Sequence, residues 1–427
     1  MLGWEFPPLF SGGLGVATYG MVKALKNNVD IKLIIPSYST SSSLPNVKII
    51  GLNSLTSTEL DIEQLRFNFE SLASEVHRVP LSVSPYHYIN DEIEKSRLKE
   101  GDTVSLTSER TMEMINKIFS DSNVYGFNVM HKVFLYTQLT EQIAKNIDFD
   151  IIHAHDWITF AAGLRIKKSS GKPLVLHVHS LETDRAGELT RNSIYHLEKE
   201  AMDSADKIFS VSQFTKDQIV KHYGIDPAKI HVVHNGIDPG DTPRKSHKLR
   251  DKLVVFLGRL THQKGPEFLL ETAEKVSRVY PRVKFVVAGT GDQFGHILET
   301  SAYKKLGSKF IFAGFLSKAK VDELLSMADV YFMPSVSEPF GITALEAAQH
   351  FVPTVLSTQS GAAEVMKASL KADFWDTDKY ANYIYALLKY GPLNQQLSES
   401  AKAELNGLTW DHTAKKICTV YQQLLTN

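Results

Sequence analysis

The sequence predicts an α/β protein built from two doubly wound parallel-sheet domains, and three observations support this class. The chain has 427 residues, which is too many for one ordinary hydrophobic core. Short apolar runs alternate with amphipathic stretches almost throughout, a pattern typical of right-handed strand–helix–strand units in a parallel sheet. A polar segment with two prolines and a glycine, residues 238–247, interrupts this alternation. We expect that segment to link the two domains.

The alternation predicts where the strands and domains lie. We expect a first domain at 1–240, a second at 241–408 and a final helix within 409–427. Strands are expected at 29–36, 151–155, 173–179, 207–211 and 230–234, and then at 252–257, 284–288, 309–312, 330–334 and 353–357. Helical patterns include 16–26, 129–146, 198–204 and 267–280. Residues 53–124 show no sustained hydrophobic periodicity, so we expect them either to add strands to the first sheet or to cover the cleft between the domains.

The composition bounds the class of protein further. Hydrophobic residues make up 43% of the chain, charged residues 22%, and the formal net charge is −1. This balance fits a soluble globular protein and gives no whole-chain basic field for nucleic acid or an anionic membrane. No apolar run is long enough to span a bilayer, and the start does not resemble a signal peptide. With Cys418 as the single cysteine, no intrachain disulfide forms, and we expect a cytoplasmic protein without stable membrane insertion.

Two loops at expected strand ends suit an anionic ligand. Residues 7–15 read PPLFSGGLG before a helical pattern, so Gly13 and Gly15 let backbone N–H groups approach an anion. In the second domain the loop GRLTHQKG carries Arg259 and Lys264. The planar guanidinium of arginine can donate two parallel hydrogen bonds and the ammonium of lysine is a compact charge, so together they suit a diphosphate. The plainer alternatives are a strand-to-helix turn and two solvated surface cations.

Two glutamates flank the start of another expected helix. Residues 338–346 read EPFGITALE, and a helix expected from Gly341 to His350 would favour an anion at its N-terminus. Glu338 precedes this helix and Glu346 lies within it, where eight residues rise about 12 Å. The two carboxylates are therefore expected to reach different parts of an extended ligand. A helix-entry acid and a solvated helix face are the plain alternatives.

Histidines lie at the ends of two expected strands. Period-two spacing puts His153 and His155 on one sheet face, and likewise His177 and His179. His155 and His179 are placed to donate to a ligand hydroxyl or a leaving oxygen. The deeper His153 and His177 are expected to be buried core residues, and no cysteine or carboxylate spacing supports a metal site.

A further glycine segment, AGTGD at 288–292, ends an expected strand. It is an incomplete GxGxxG pattern, so we do not interpret it as a dinucleotide site. We expect Gly289 to form a tight turn beside a bound nucleotide.

Together these motifs resemble the GT-B glycosyltransferases, in the retaining branch that includes glycogen and starch synthases and family 4. The resemblance covers nearly the whole chain, and its most specific part is the E-x7-E motif at 338–346 with Arg259 and Lys264 upstream. Other matching segments read WEFPP, SGGLG, HAHDW, HVHSLETDRAGE, VHNGID and LGRLTHQKG. Phe10 departs from the pattern, since starch and bacterial glycogen synthases have the lysine of KxGGL there. That departure affects glycogen synthase specificity more than the fold.

The resemblance implies a GT-B fold, in which two Rossmann-like doubly wound parallel-sheet domains face each other across a cleft. The C-terminal domain would bind a nucleotide-sugar donor and the N-terminal domain mainly the acceptor. The last helix, Trp410 to Leu425, would cross back to the first domain.

The resemblance also implies roles for individual residues. Arg259 and Lys264 would hold the diphosphate, and Glu338 would contact the donor sugar. His155, and by a weaker match His179, would also serve the donor sugar. Further implied donor contacts are the amides of Phe340 and Gly341, Ile342 and Thr343 at the distal phosphate, Glu346 at the ribose hydroxyls, Gly13 and Gly15 on the phosphate side, and the backbone of Phe315 and Leu316 near the base.

The implied reaction is transfer of a hexose, with glucose as first choice, from ADP- or UDP-glucose to an α-glucan with retention. Cations and helix amides would stabilise the leaving phosphate, so no metal or other cofactor is expected. The alternatives are a family 4 transferase acting on a small sugar, a sugar phosphate or a lipid-linked acceptor, and a nucleotide-sugar 2-epimerase. The donor base and the oligomeric state stay open.

Overall fold

The computed structural model describes residues 1–8, 12–39, 44–55, 108–120, 125, 129–238, 240 and 250–426. Its strands are β1 Ile31–Ile35, β2 Val47–Gly51, β3 Ile152–His155, β4 Leu174–Val178, β5 Lys207–Ser210, β6 Ile230–Val232, β7 Lys252–Leu257, β8 Val283–Ala288, β9 Phe310–Gly314, β10 Val330–Met333, β11 Thr354–Ser357 and β12 Leu370–Ala372. Its α-helices are α1 Gly13–Leu25, α2 Ser108–Ser120, α3 Val129–Lys145, α4 Trp157–Ser170, α5 Glu182–Ala186, α6 Ser193–Ser204, α7 Gln213–Gln218, α8 Pro266–Val279, α9 Phe294–Tyr303, α10 Lys318–Met327, α11 Ile342–Gln349, α12 Ala362–Val365, α13 Thr377–Lys389, α14 Gly391–Glu404 and α15 Trp410–Thr426.

Contacts divide the chain into two compact units. Unit 1 contains Met1–Val178, Leu189–Phe209 and Cys418–Asn427, and unit 2 contains His179–Glu188 and Ser210–Ile417. The short segment His179–Glu188 therefore belongs to unit 2 although the chain on both sides of it belongs to unit 1. Helix α15 contributes its beginning to unit 2 and its end to unit 1.

Unit 1 is built on a parallel sheet that the first residues of the chain complete. Leu2 forms parallel bridges to Ile34 of β1 and to Ala154 of β3. On one side β1 pairs with β2, and on the other β3, β4 and β5 follow in that order. Counted from the N-terminus, the order is 3-2-1-4-5-6, with residues 1–3 as the first strand. This is the order of a Rossmann sheet.

Unit 2 has the same order in a six-stranded sheet, β9-β8-β7-β10-β11-β12. Alternate residues of each strand enter two separate cores, because successive side chains point to opposite faces of a strand. Along β7, Val255 and Leu257 join one core, while Val254 and Phe256 join the other. Helices cover both faces, which explains the almost continuously apolar strand sequences.

The strands and helices predicted from the sequence are confirmed, with ends that differ by a few residues. The short strands β2 and β12 were not predicted. In the case of β12, the strand has only three residues and includes Lys371. Of the predicted linker at 238–247, only Asp238 and Gly240 are described, and most of 53–124 also lies outside the described residues, as does Phe10. Within the described ranges, no helix has the length and apolar character needed to cross a membrane.

Candidate active site

The strand order of unit 2 defines where a ligand can bind. The order reverses between β7 and β10, and open α/β sheets bind ligands beyond the carboxyl ends of the strands at such a point. Arg259 and Lys264 follow β7, and Glu338 follows β10. Residues that the sequence separates by 74 positions are thereby brought to one crevice.

A glycine allows the two loops at this crevice to meet. Gly265 has φ +64°, and a Cβ there would lie 2.2 Å from the carbonyl oxygen of Pro334, just after β10. Close by, the Val336 N–H donates to the carbonyl of Gln263 at 3.0 Å. Only a residue without a side chain permits this backbone approach. The loop after β7 is therefore held directly against the loop after β10.

Lys264 and Glu338 form an ion pair at the centre of the crevice. The Nζ of Lys264 lies 2.5 Å from Oε2 of Glu338, and their side chains are 19% and 9% exposed. The hydroxyl of Ser335 also donates to the same oxygen at 3.3 Å. Because partial burial strengthens electrostatic interactions, each charge fixes the position of the other. Arg259 is exposed on the same loop.

The helix after Glu338 begins at the crevice with a left-handed residue. Gly341, with φ +98°, is the N-cap of α11. The backbone N–H groups of the first helical turn, which begins at Ile342, therefore come directly after Phe340 and Gly341 in the chain. The hydroxyls of Thr343 and Tyr331 are 2.6 Å apart. Burial, and then the charges of the two nearby glutamates, raise the pKa of Tyr331. The phenol therefore stays neutral and holds the Thr343 side chain in the first turn.

The second glutamate of the motif lies one turn further along α11. Oε1 of Glu346 accepts from Nζ of Lys318 at 2.9 Å, and Lys318 also donates to Asp322 at 2.9 Å. Burial lowers the pKa of Lys318, but the pairing with Glu346 and Asp322 outweighs it and leaves the pKa above its ordinary value. His350 reaches Asp322 at 3.0 Å. Lys318 was not singled out from the sequence, since nothing in a solvated helix end marks it.

The remaining predicted residues of unit 2 lie on neighbouring loops of the same sheet edge. Gly289 follows β8, has φ +139°, and a Cβ there would be 1.8 Å from the carbonyl of Gly258. Packing between loops thus explains this glycine, and its contact with a nucleotide stays a prediction. After β9, Phe315 is 69% exposed, whereas Leu316 packs partly against the core.

The segment His179–Glu188 supplies further groups to unit 2. His179 follows the end of β4 rather than lying within it, and burial lowers its pKa to about 3. Asp184, which the sequence analysis did not single out, is 7% exposed. Its Oδ1 accepts from the hydroxyl of Ser337 at 2.5 Å. Ser337 is the neighbour of Glu338, so a second carboxylate lies beside the proposed donor-sugar residue.

In unit 1 the predicted residues also lie where the strand order reverses, between residues 1–3 and β3. His155 ends β3 and is fully buried. Asp156, which follows it, has φ 60° and ψ 166°, a conformation rarely adopted by residues other than glycine. Such backbone strain persists where the surroundings enforce it, and it concentrates at functional sites.

The glycine loop of unit 1 is partly occupied by a carboxylate of the chain itself. Gly13 is the exposed first residue of α1, and Gly15, two residues further along, is buried. The Gly15 N–H donates to Glu5 at 3.3 Å, and Glu5 is 2% exposed. Glu5 was not predicted as a site residue, because its contact with Gly15 depends on how the chain turns between them. Contact of Gly13 and Gly15 with a donor phosphate stays a prediction.

Three histidines of unit 1 stack in its core. The rings of His153, His155 and His177 are nearly parallel, with interplanar angles of 6–24° and centroids 4.3–5.4 Å apart. Ring nitrogens lie within 4.8 Å of one another, as they would near a metal ion. Metal–imidazole bonds of about 2.0–2.1 Å lie along each ring plane, and parallel planes do not share such a point. The arrangement favours a buried stack, anchored where His153 Nδ1 lies 2.5 Å from the Tyr421 hydroxyl.

Known protein families match two consecutive parts of the chain between residues 124 and 404. Residues 124–241 match the family described as Glycosyltransferase Family 4, and residues 241–404 match Glycosyl transferases group 1. An uncharacterized glycosyltransferase of Methanocaldococcus jannaschii is 30% identical over 64% of this chain and 75% of its own length. The glycogen synthase of Mycobacterium tuberculosis is 28% identical over 51% of this chain and 54% of its own length. The alpha-maltose-1-phosphate synthase of Mycolicibacterium smegmatis is 28% identical over 64% of this chain and 79% of its own length.

Solved structures share the fold over nearly the entire chain. Sucrose-phosphate synthase from Thermosynechococcus elongatus superposes with a TM-score of 0.67 and 16% identity, covering 100% of this chain and 96% of that one. HepE of Anabaena, in complex with UDP and glucose, superposes with a TM-score of 0.64 and 16% identity, covering 99% of this chain and 98% of that one. The chain therefore belongs to the GT-B glycosyltransferases, which confirms both the predicted fold class and the resemblance. The alignment with glycogen synthase spans only about half of that enzyme.

Proposed function

We propose that this protein is a retaining, metal-independent hexosyltransferase that moves glucose from ADP-glucose or UDP-glucose to an α-glucan. The observation that carries the proposal is the Lys264–Glu338 pair, which lies at the strand-order reversal of unit 2 beside the start of α11. A cation, a carboxylate and a helix N-terminus meet there. These are the groups that a sugar esterified to a diphosphate requires.

The chemistry follows from the charges that develop when the donor reacts. The bond between the anomeric carbon and the phosphate oxygen breaks, so negative charge grows on the phosphate and positive charge on the sugar. Arg259, Lys264 and the first amides of α11 would stabilise the phosphate. A bound diphosphate would compete with Glu338 for Lys264, which would leave the Glu338 carboxylate beside the donor sugar.

Retention requires the acceptor to attack from the face that the phosphate leaves. The acceptor oxygen bonds to the anomeric carbon, and its proton passes to the departing phosphate oxygen. No protein carboxylate then acts as a nucleophile, which agrees with the different surroundings of Glu338 and Glu346. Phe340, Gly341, Ile342 and Thr343 would bind the phosphates, and Glu346 would accept bonds from the ribose.

The experiment that tests this proposal is a panel of nucleotide sugars. Release of nucleotide diphosphate would be measured from ADP-glucose, UDP-glucose, GDP-mannose and UDP-N-acetylglucosamine, each with glycogen, with maltooligosaccharides and without acceptor. The Lys264→Ala variant serves as the control for catalysis at this site. We expect glucan-dependent release from a glucose donor. Release that never depends on a glucan, with any donor, would overturn the proposed acceptor.

A second candidate is transfer to a small sugar or sugar phosphate. The alignment with the enzyme named alpha-maltose-1-phosphate synthase covers 79% of that protein, against 54% for the glycogen synthase. Adding glucose 1-phosphate to the acceptor panel separates the two candidates, because only the second predicts faster release with the sugar phosphate than with glycogen.

A further inference from the structure

Asp184 connects the segment His179–Glu188 to the loop that carries Glu338. Its Oδ2 accepts the Leu181 N–H at 2.8 Å, and its Oδ1 accepts the Ser337 hydroxyl at 2.5 Å. The first bond closes the start of the short helix α5. The second bond joins residues 153 positions apart, and it has no part in any helix or strand.

The charges around Asp184 set it apart from an ordinary helix-capping residue. Burial raises the pKa of Asp184, the bonds from Ser337 and Leu181 and the charge of Arg185 oppose this, and the charge of Glu338 adds to it. The Arg185 guanidinium is itself engaged, donating to Glu182 at 2.9 Å and to Ser180 at 2.6 Å. A buried carboxylate is thus kept close enough to Glu338 for the two charges to interact.

We propose that Asp184 is a positioning residue, which fixes Ser337 and thereby the backbone of Glu338, so that the Glu338 carboxylate lies against Lys264 before a donor binds and beside the donor sugar afterwards. The proposal deepens the function proposed above and rests on Glu338 and Lys264 being the donor site. Ser337 and Glu338 are consecutive, so anchoring one side chain restricts the backbone of the other.

Two variants of Ser337 separate this role from helix capping. Ser337→Ala removes the hydroxyl that reaches Asp184 but leaves the Leu181 bond and helix α5 unchanged. Ser337→Thr keeps a hydroxyl at the same position. Asp206→Ala is the matched structural control. Asp206 also accepts two hydrogen bonds, one from the Leu174 N–H at 2.7 Å and one from Nζ of Lys167 at 2.7 Å.

The first readout needs no substrate. The rate at which acetic anhydride labels Lys264 would be followed by mass spectrometry in the full-length protein. We expect Ser337→Ala to label about fivefold faster, the factor that loss of one net hydrogen bond supports. Ser337→Thr and Asp206→Ala should label like the wild type. Equal labelling of Lys264 in Ser337→Ala and the wild type would overturn the proposal.

The second readout is kinetic and uses the donor that the wild type accepts. We expect Ser337→Ala to lower kcat about tenfold with a donor KM within about threefold of the wild type, the pattern of an interaction that matters in the transition state. A structural defect would instead lower the melting temperature, as in Asp206→Ala, with kcat unchanged. If the wild type releases nucleotide from no donor, the proposed function fails, while the labelling of Lys264 still decides the role of Asp184.

Discussion

The two units share one strand order but differ in the chemistry that they place where that order reverses. In unit 2 the crevice beyond β7 and β10 holds Arg259, Lys264 and Glu338. In unit 1 the equivalent position, between residues 1–3 and β3, holds the histidine stack that includes His155, with Asp156 strained beside it. The fold therefore specifies where a ligand can bind, and the loop sequences specify which ligand.

The charges in unit 2 are also paired in a way that a ligand can exchange. Lys264 pairs with Glu338, and Lys318 pairs with Glu346. A diphosphate and a ribose would take over one member of each pair. In unit 1, by contrast, the predicted residues Gly13 and Gly15 offer backbone N–H groups, and His155 lies in the histidine stack. This contrast supports assigning the anionic donor to unit 2.

The largest expected effect comes from removing the central cation of unit 2. Lys264→Ala should lower turnover about 10²- to 10³-fold, because one preorganised group that stabilises a developing charge contributes that much. Its circular dichroism spectrum should match the wild type, and Lys199→Ala, on the surface of α6, should turn over normally. A Lys264→Ala enzyme with wild-type turnover would remove the lysine from the mechanism.

A smaller effect should distinguish two histidines of one strand. His155→Ala should lower kcat about 10- to 100-fold through loss of a hydrogen bond to the donor sugar. His153→Ala should destabilise the protein through its contact with Tyr421 while leaving kcat of the folded enzyme near that of the wild type. Steady-state kinetics together with thermal melts test both. Equal kinetic losses would mean that the stack acts as one unit.

Glu346, the carboxylate proposed to bind the donor ribose, should affect donor binding rather than turnover. Glu346→Gln should raise the donor KM about tenfold with little change in kcat, because its bonds are made equally in the ground and transition states. Glu323→Gln, an exposed residue of α10, is the control. A loss confined to kcat would move Glu346 from the ribose to the reacting sugar.

The pH dependence of stability should reveal His179. Its pKa is lowered to about 3 by burial, so the folded state resists protonation that the unfolded state accepts near 6.5. Stability present above pH 6.5 is therefore lost as the pH falls toward 3. Between pH 7 and 5 the loss is at most about 2 kcal/mol. Urea unfolding of His179→Gln should show a smaller drop over this interval, and an identical drop would contradict the assignment.

The smallest expected effect is that of a chelator. Dialysis against EDTA should change turnover by less than about twofold, since in the proposed mechanism cations and helix amides would take the place of a metal at the phosphates. Loss of activity that added zinc restores would contradict the proposed metal-independent reaction.

The sequence was sufficient for the fold class and for most strands, because buried parallel strands are short apolar runs with recognisable ends. It also identified the loops of the crevice, since Arg259, Lys264 and Glu338 stand in local motifs at strand ends. The pairing of Lys264 with Glu338 and that of Asp184 with Ser337 connect positions 74 and 153 residues apart. Motifs are local, so contacts of this kind become visible only in the folded chain.

Assignment of residues to units shows the same limit. The segment HVHSLETDRAGE follows a strand of the first sheet, and nothing in its composition indicates that His179–Glu188 packs within unit 2. Glu5 was missed for a related reason, because its contact with Gly15 depends on a turn of the chain rather than on spacing. The missed residues are all polar groups whose partners lie outside their own motif.

The most direct test of the central claim, that the crevice of unit 2 is the donor site, is isothermal titration calorimetry with UDP and ADP. We predict one binding site per chain for at least one of the two nucleotides, with affinity weakened at least about tenfold in Arg259→Ala. Affinity should be unchanged in Arg278→Ala, on the exposed face of α8. Binding that is equally tight in the wild type and in Arg259→Ala would contradict the assignment of this crevice to the donor.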